Sequence, residues 1–420
     1  MKIGYRPGPI ARSSMQTLAV YGLRLGTQVT LLFLVARYLG PSQFGEFAAI
    51  AALAVGLGTL SSFGLGFLVL GESAKLPERG QALLAQAAPA TLLSAVLLGP
   101  LYFWLCRVAL ESDASSTVLV LIGFSELFLV PLVLIFSQRL QGLGKIARSQ
   151  ALAMTPIAMR LAAILACMMM APTVRLEAYA SAYFAASLVS MLFAIWAVKE
   201  VAVIVNMEMP TASRIKAGSP YALMKFTAIN PSELDKALAL RLLPTAEAGI
   251  YALAARGLSM ATMPVVAMVV SSQPRLFRET GNGTAYSRRL IFIVLFVAGL
   301  VGIGAGLLLA GFAAPGLEWL MGHEFAGTAE AMRMLAWAAP FMALRFAAGG
   351  VLIPLEKPLI RSGIELLGLG ALIGLGLIIG STHGISGLIV AVVSSEAFMA
   401  LLFCIYLIMA IRPHRARKAG

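Results

Sequence analysis

Stretches of about 20 apolar residues, each long enough to carry an α-helix across the roughly 30 Å hydrocarbon core of a bilayer, recur along this whole chain. A backbone in hydrocarbon has to satisfy its own polar groups, so such stretches can only be helices. They run from Met15 to Ala36, Phe44 to Leu70, Leu83 to Leu105, Thr117 to Ser137, Ala151 to Ala171 and Ala178 to Val198. A second set runs from Pro220 to Leu240, Ala248 to Val270, Leu290 to Gly311, Ala329 to Leu352, Ile364 to Ile379 and Ile385 to Met409. With 12% charged and 60% apolar residues, the chain lacks the polar surface of a soluble domain, which has roughly 25% charged residues. The expected fold class is therefore an all-α integral membrane protein with about twelve transmembrane helices.

The net charge of +13 could signal a nucleic-acid partner or a membrane orientation, and its distribution decides between them. Nearly all the Lys and Arg residues between spans fall on the side of the N-terminus, including Lys75, Lys145, Arg148, Lys199, Arg214, Arg289, Lys357 and the tail from Arg412. Only Arg37, Arg107, Arg175 and Arg241 fall on the other. Basic loops stay in the cytosol during insertion, so both termini are expected there and the span number is even. No nucleic acid is needed to explain the charge. The first apolar run contains Arg24 and lacks a cleavage site, so it is expected to be a retained helix. Cys106, Cys167 and Cys404 lie in apolar surroundings with no C-x-x-C spacing, which indicates small packing residues and no metal site.

An internal repeat divides the chain. RYLGPSQFGEFAA, from Arg37 to Ala49, aligns without gaps to RLLPTAEAGIYAL, from Arg241 to Leu253, about half the chain later. A weaker echo pairs Leu140, Leu143 and Lys145 with Leu352, Leu355 and Lys357, and chance similarity among apolar helices is the alternative. Two six-helix lobes, 1–205 and 206–420, are expected, related by a pseudo-two-fold axis along the membrane normal, with a ligand bound near the midplane. The polar stretch from Lys199 to Gly218 reads as their connection. Gly302 and Gly306, Gly370 and Gly374, and Gly376 and Gly380 have the spacing that lets helices approach closely.

Charges inside the predicted spans point to a site. Arg24, Arg160, Lys225, Lys236, Arg256, Arg333 and Arg345 lie there with the acids Glu126, Glu233, Asp235, Glu365 and Glu396. Each Arg or Lys at a helix centre costs roughly 2.5 to 3.5 kcal/mol, so such residues face a bundle interior and have a partner or a task. Thr17, Tyr21, Arg24 and Gln28 share one face of the first helix, and Lys225, Ile229, Ser232 and Lys236 repeat that spacing in the seventh. Pro231 allows that helix to bend. Mutual pairing of the charges is the simpler reading. The excess of cations also suits an anionic headgroup, because Arg holds phosphate through two parallel hydrogen bonds. On that reading Arg24, Gln28, Arg160, Lys225, Lys236, Arg256 and Arg345 are candidate substrate ligands in a basic cavity, and Glu126, Asp235 and Glu396 are candidate ion-coupling acids.

ARYLGPSQFGEF from Ala36, LQGLGK from Leu140, the Asp235-Lys236 pair, GIYALAAR ending at Arg256, MGHEFAGTAEAMRML from Met321 and Ser395-Glu396 occur in an order that resembles a known family. It is the Wzx-type polysaccharide flippases of the multidrug, oligosaccharidyl-lipid and polysaccharide exporter superfamily. The resemblance implies a flippase moving a polyprenyl-diphosphate-linked oligosaccharide, such as an O-antigen unit, to the outer leaflet of a bacterial inner membrane by alternating access. It implies no cofactor, with membrane lipid and a polysaccharide polymerase or other assembly proteins as candidate partners. The chain departs from the family in the second-half turn, where Pro244 stands in place of Gly.

A multidrug or cation antiporter of the same superfamily is the first alternative, although an acidic lumen would suit it better. The second is a membrane-embedded polysaccharide polymerase or ligase, but the outer segments are too short for a catalytic domain. His323-Glu324 lacks the second His of a zinc protease motif, and no phosphate loop or nucleophile elbow is present, so the chain is not expected to be an enzyme.

Overall fold

The computed structural model describes residues 9–170, 174–198, 207–280, 285–321, 325, 327–353, 355 and 357–411. His323 and Glu324, the side chains of Thr17 and Tyr21, and the tail from Arg412 lie outside the described residues. The described residues are almost wholly helical and contain no strand. The first continuous run, Pro9–Gly58, is broken at Gly40 (φ 74°, ψ 168°), a conformation open only to glycine, and Pro41 starts the next helix. We label the pieces α1 (9–39) and α2 (41–75). There follow α3 (Pro77–Ala109), α4 (Ser116–Gly142), α5 (Ile146–Met170), α6 (Arg175–Val198) and α7 (212–242). Then come α8 (Thr245–Thr280), α9 (Ala285–Met321), α10 (Thr328–Leu352), α11 (358–380) and α12 (Ser381–Ile411).

Among the described residues eight runs are long and apolar enough to cross a membrane, and a further pair, Gly22–Gly58 with Ser61–Lys75, is bent by 41° at a break within α2. One of the eight, Leu359–Ala410, has 52 residues, about 78 Å of helix, which is more than two bilayer crossings. It turns at Gly384 (φ 60°, ψ −138°) and so holds both α11 and α12. The rod that fails on hydropathy is α7, which contains Lys225, Glu233, Asp235, Lys236 and Arg241. Its centre is a 3-10 turn, Asn230–Ser232, around Pro231, so the α-helix and its polar stripe are interrupted at the residue where a bend was expected. At the second-half turn Leu243 is extended (φ −119°, ψ 156°), which explains why this turn, with Pro244, has no need of the glycine used at Gly40.

The chain divides into two compact units, Met1–Phe226 and Thr227–Gly420. In the first, Val69, Leu84, Leu132, Val133, Phe136 and Ala194 form a core among α2, α3, α4 and α6. In the second, Val265, Ala298, Ala347, Val351, Met399 and Phe403 join α8, α9, α10 and α12. A methyl on Gly302 would come within 2.6 Å of the Ala343 Cβ, and one on Gly306 within 2.8 Å of the Ala336 carbonyl, so this glycine pair sets the α9–α10 approach. Gly376 and Gly380 similarly meet Leu238 and Leu242, whereas Gly370 and Gly374 face open space. Leu97, Trp104, Trp196, Phe292, Leu307 and Leu367 point outward, an apolar exterior suited to lipid.

Candidate functional site: buried charge clusters

In the first unit the cluster is centred on Glu126, which is buried on a π-helical turn, Ser125–Leu129. Such a turn widens the helix and displaces its carbonyls. The Ser61 hydroxyl takes up one of them, donating to the Leu127 carbonyl at 2.8 Å. Arg160 Nη2 and the Tyr183 hydroxyl both donate to Glu126 Oε1 at 2.5 Å. The same Nη2 also reaches Ser187 Oγ at 3.2 Å. The guanidinium lies 3.7 Å above the Tyr183 ring, a cation–π contact that adds to the ion pair. Arg160 Nε is buried and has no hydrogen-bond partner among the described residues.

Next to this cluster α2 is broken. Ser62 (φ 59°), Phe63 (φ 51°) and Gly64 (φ 77°) are successive left-handed residues, which is costly for the first two. The Ser62 amide, left without a helical acceptor, donates to Ser94 Oγ at 3.0 Å. A methyl on Gly64 would fall 2.2 Å from the Gly218 carbonyl, so the glycine allows backbone to meet backbone there. Beside the break is a cavity of about 20 Å³, enough for a single water, bordered by Thr59, Ser61, Gln138, Tyr221 and Lys225. Lys225 is half-buried and makes no ion pair among the described residues. Arg24 and Gln28 are half-buried on α1.

The second unit holds a larger cluster built on the broken α7. Arg256 grips Glu233 with two parallel hydrogen bonds of 2.7 and 2.8 Å. Lys236 is buried, with Nζ 3.0 Å from Asp235 Oδ1 and 2.5 Å from the Ser232 carbonyl that the helix break frees. The Tyr251 hydroxyl donates to Asp235 Oδ2 at 2.8 Å. Arg345 Nε donates to Glu396 at 2.6 Å and Nη2 to Ser232 Oγ at 3.0 Å, while Nη1 is buried without a partner among the described residues. Ser232 thus links the Lys236 and Arg345 pairs. A further acid, Glu365, accepts from Arg361 Nε at 3.1 Å and from Thr227 Oγ1 at 2.8 Å.

The structure therefore brings Arg160 to Glu126, Lys236 to Asp235 and Arg345 to Glu396, while Lys225 makes no ion pair among the described residues. Sequence reasoning placed Ser232 in the polar stripe of α7 but missed the hydroxyls of Tyr183, Tyr251 and Ser187, and it missed Arg361, which lies just before the predicted span from Ile364. The strained turn at Ser62 was missed too, although two glycines within L-G-T-L-S-S-F-G were a signal for it. Buried ion pairs of this kind contribute little net stability but leave a costly charge if one member is removed.

A family model described as polysaccharide biosynthesis protein matches residues 10–279. No curated protein sequence matches the chain. Among solved structures, an inward-facing multidrug resistance MATE family transporter of the MOP superfamily is similar at 14% identity and TM-score 0.74, over 92% of this chain and 94% of that one. The lipid II flippase MurJ, in an inward closed conformation, is similar at 14% identity and TM-score 0.66, over 94% and 87%. A MOP superfamily transporter from Pyrococcus furiosus, with a binding pocket of reversed polarity, gives 14% and 0.65 over 94% and 93%. Likeness at this identity shows a shared fold: an all-α transporter fold with two lobes.

Proposed function

Because the chain belongs to the polysaccharide biosynthesis protein family, we propose that it is a Wzx-type flippase. Its cargo is a polyprenyl-diphosphate-linked oligosaccharide, moved from the cytoplasmic to the outer leaflet of a bacterial inner membrane by alternating access. The family match over residues 10–279 carries this reading, and the fold shared with a lipid II flippase supports it. Both termini are cytoplasmic in this reading, and a polysaccharide polymerase or another assembly protein receives the product.

The diphosphate headgroup needs donors in an apolar setting. Lys225 is the first candidate, because it makes no ion pair among the described residues and Ser61 and Gln138 border the same cavity. Arg24, Gln28, Arg160, Lys236, Arg256 and Arg345 supply further donors. A phosphate approaching Arg160 or Arg345 competes with Glu126 or Glu396, and a proton or other cation taken up by the displaced carboxylate neutralises it. Ligand binding and ion movement are thereby linked through the same pairs, with Asp235 serving Lys236 in the same way.

Depletion of the protein followed by lipid analysis tests the function. The expected result is accumulation of a polyprenyl-diphosphate saccharide in the cytoplasmic leaflet. Normal lipid-linked saccharides together with a new sensitivity to organic cations would replace this reading with the multidrug antiporter.

A further inference from the structure

On the second unit, α10 and α12 border an open groove of about 420 Å³. Glu330, Arg333, Met334 and Trp337 line it at i, i+3, i+4 and i+7, so they share one face of α10. The opposite face, Thr328, Ala331, Met332 and Leu335, is buried in the unit. Across the groove α12 presents Ile389, Val390 and Val393. Trp337 is 75% exposed and Val390 46%, on a helix pair whose outer surface suits lipid. Glu330 and Arg333 are both exposed, and neither has an ion pair among the described residues. The groove is thus apolar along its length and carries one charge of each sign at the Thr328 end of α10.

We infer that this groove is a binding site for a zwitterionic phospholipid whose head bears a primary ammonium group, as in phosphatidylethanolamine. Arg333 takes the phosphate through its planar pair of donors, and Glu330 accepts from the ammonium. One turn separates the two residues, with about 5 to 6 Å between their Cβ atoms, which a phosphoethanolamine head can bridge. An acyl chain then runs over Trp337, Val390 and Val393. Charge complementarity selects this occupant. A lipid with only negative charge is repelled by Glu330, a quaternary choline has no N–H to donate, and the diphosphate of a flippase substrate carries no cation for Glu330. The site is separate from the buried clusters and independent of the transported cargo.

The full chain contains 4 Trp residues, so replacing Trp104, Trp196 and Trp319 by Phe leaves Trp337 as the only reporter. Purified in detergent, that variant is titrated with phospholipids brominated in the acyl chain, and quenching of Trp337 is measured. Phosphatidylethanolamine should quench at a concentration about tenfold lower than phosphatidylcholine or phosphatidylglycerol, the effect of one hydrogen bond to a charged group. Glu330→Gln and Arg333→Gln should each abolish that preference. The conservative variants Glu330→Asp and Arg333→Lys should each keep part of it, since the charge survives in the same place, which separates loss of the site from damage to the fold. Equal quenching by all three lipids would reduce the groove to unspecific lipid contact and overturn the proposal. Preference for phosphatidylglycerol that survives Glu330→Gln would overturn it as well, leaving Arg333 as a lone anion site. Displacement of bromolipid by polyprenyl diphosphate but not by phosphatidylethanolamine would give the groove to the substrate, and elution as a dimer that excludes lipid would give it to a second copy of the chain.

Discussion

Removing the Glu126 carboxylate would leave Arg160 charged and buried with only Ser187 and the Tyr183 ring for company. Glu126→Ala is therefore expected to destabilise the protein by about 3 to 5 kcal/mol, seen as lost thermal stability and lower membrane abundance. Combining it with Arg160→Met should restore most of the stability, because a pair replaced by apolar groups no longer carries the desolvation cost. Normal stability of the single variant would show that water reaches Arg160. Lys225 should behave in the opposite way. No ion pair depends on it among the described residues, so Lys225→Met should keep wild-type abundance while export falls about 10- to 150-fold, the equivalent of one hydrogen bond to a charged group. Lys225→Arg should retain most of the export. If Lys225→Met exports normally, the phosphate role is wrong. The sequence showed which cations sit in apolar spans, since that needs only hydropathy and spacing. It could not show their partners, because Glu126 and Arg160, or Arg345 and Glu396, come from different helices and meet only through packing. Tyr183 and Tyr251 looked like ordinary core aromatics for the same reason.

Helix ends and breaks were legible where a residue fixes its own backbone. Pro231 marked the interruption of α7, and the gap left between the predicted spans ending at Ala36 and starting at Phe44 holds the break at Gly40 and Pro41. The break at Ser62 and Phe63 was marked only by the glycines that flank it, because neither residue itself favours a left-handed backbone and the surrounding contacts hold it there. Gly64 shows the cost of that arrangement. Gly64→Ala forces a side chain at φ 77° and into the Gly218 carbonyl, so a loss of at least about 1 to 3 kcal/mol is expected. Gly71→Ala, on the same helix but facing open space, is the control and should gain or lose little. Equal thermal stability of the two variants, measured in the same detergent, would mean that the break relaxes freely.

For the molecule as a whole, the even number of spans expected from the sequence, with basic loops assigned to one side, predicts sidedness. Cysteines placed at Lys145 and Arg214 should react with an impermeant reagent only from the cytosolic side, and one at Ser381 only from outside. Reaction of Lys145 and Ser381 positions from the same side would break the topology. Sidedness in turn fixes how the membrane potential acts on the cargo. Each negative charge carried from a cytosol held at −100 mV gains roughly 2.3 kcal/mol on reaching the outer face. If the diphosphate crosses with its charge uncompensated, a potential of that size favours outward transfer by about 50-fold per charge. If instead Glu126, Asp235 or Glu396 carries a counter-ion inward for every charge exported, the charge moved per cycle changes, and transport responds to that ion's gradient as well. Proteoliposomes with a potassium diffusion potential, assayed for exposure of a labelled polyprenyl-diphosphate saccharide, separate these cases. Faster export with the destination side positive is expected, and Glu396→Gln should weaken the dependence on the ion gradient and reduce the dependence on potential to the part carried by the headgroup itself. Export indifferent to both potential and gradients would end the coupling idea, because neither driving force would then act on the headgroup or on the acids paired with these cations.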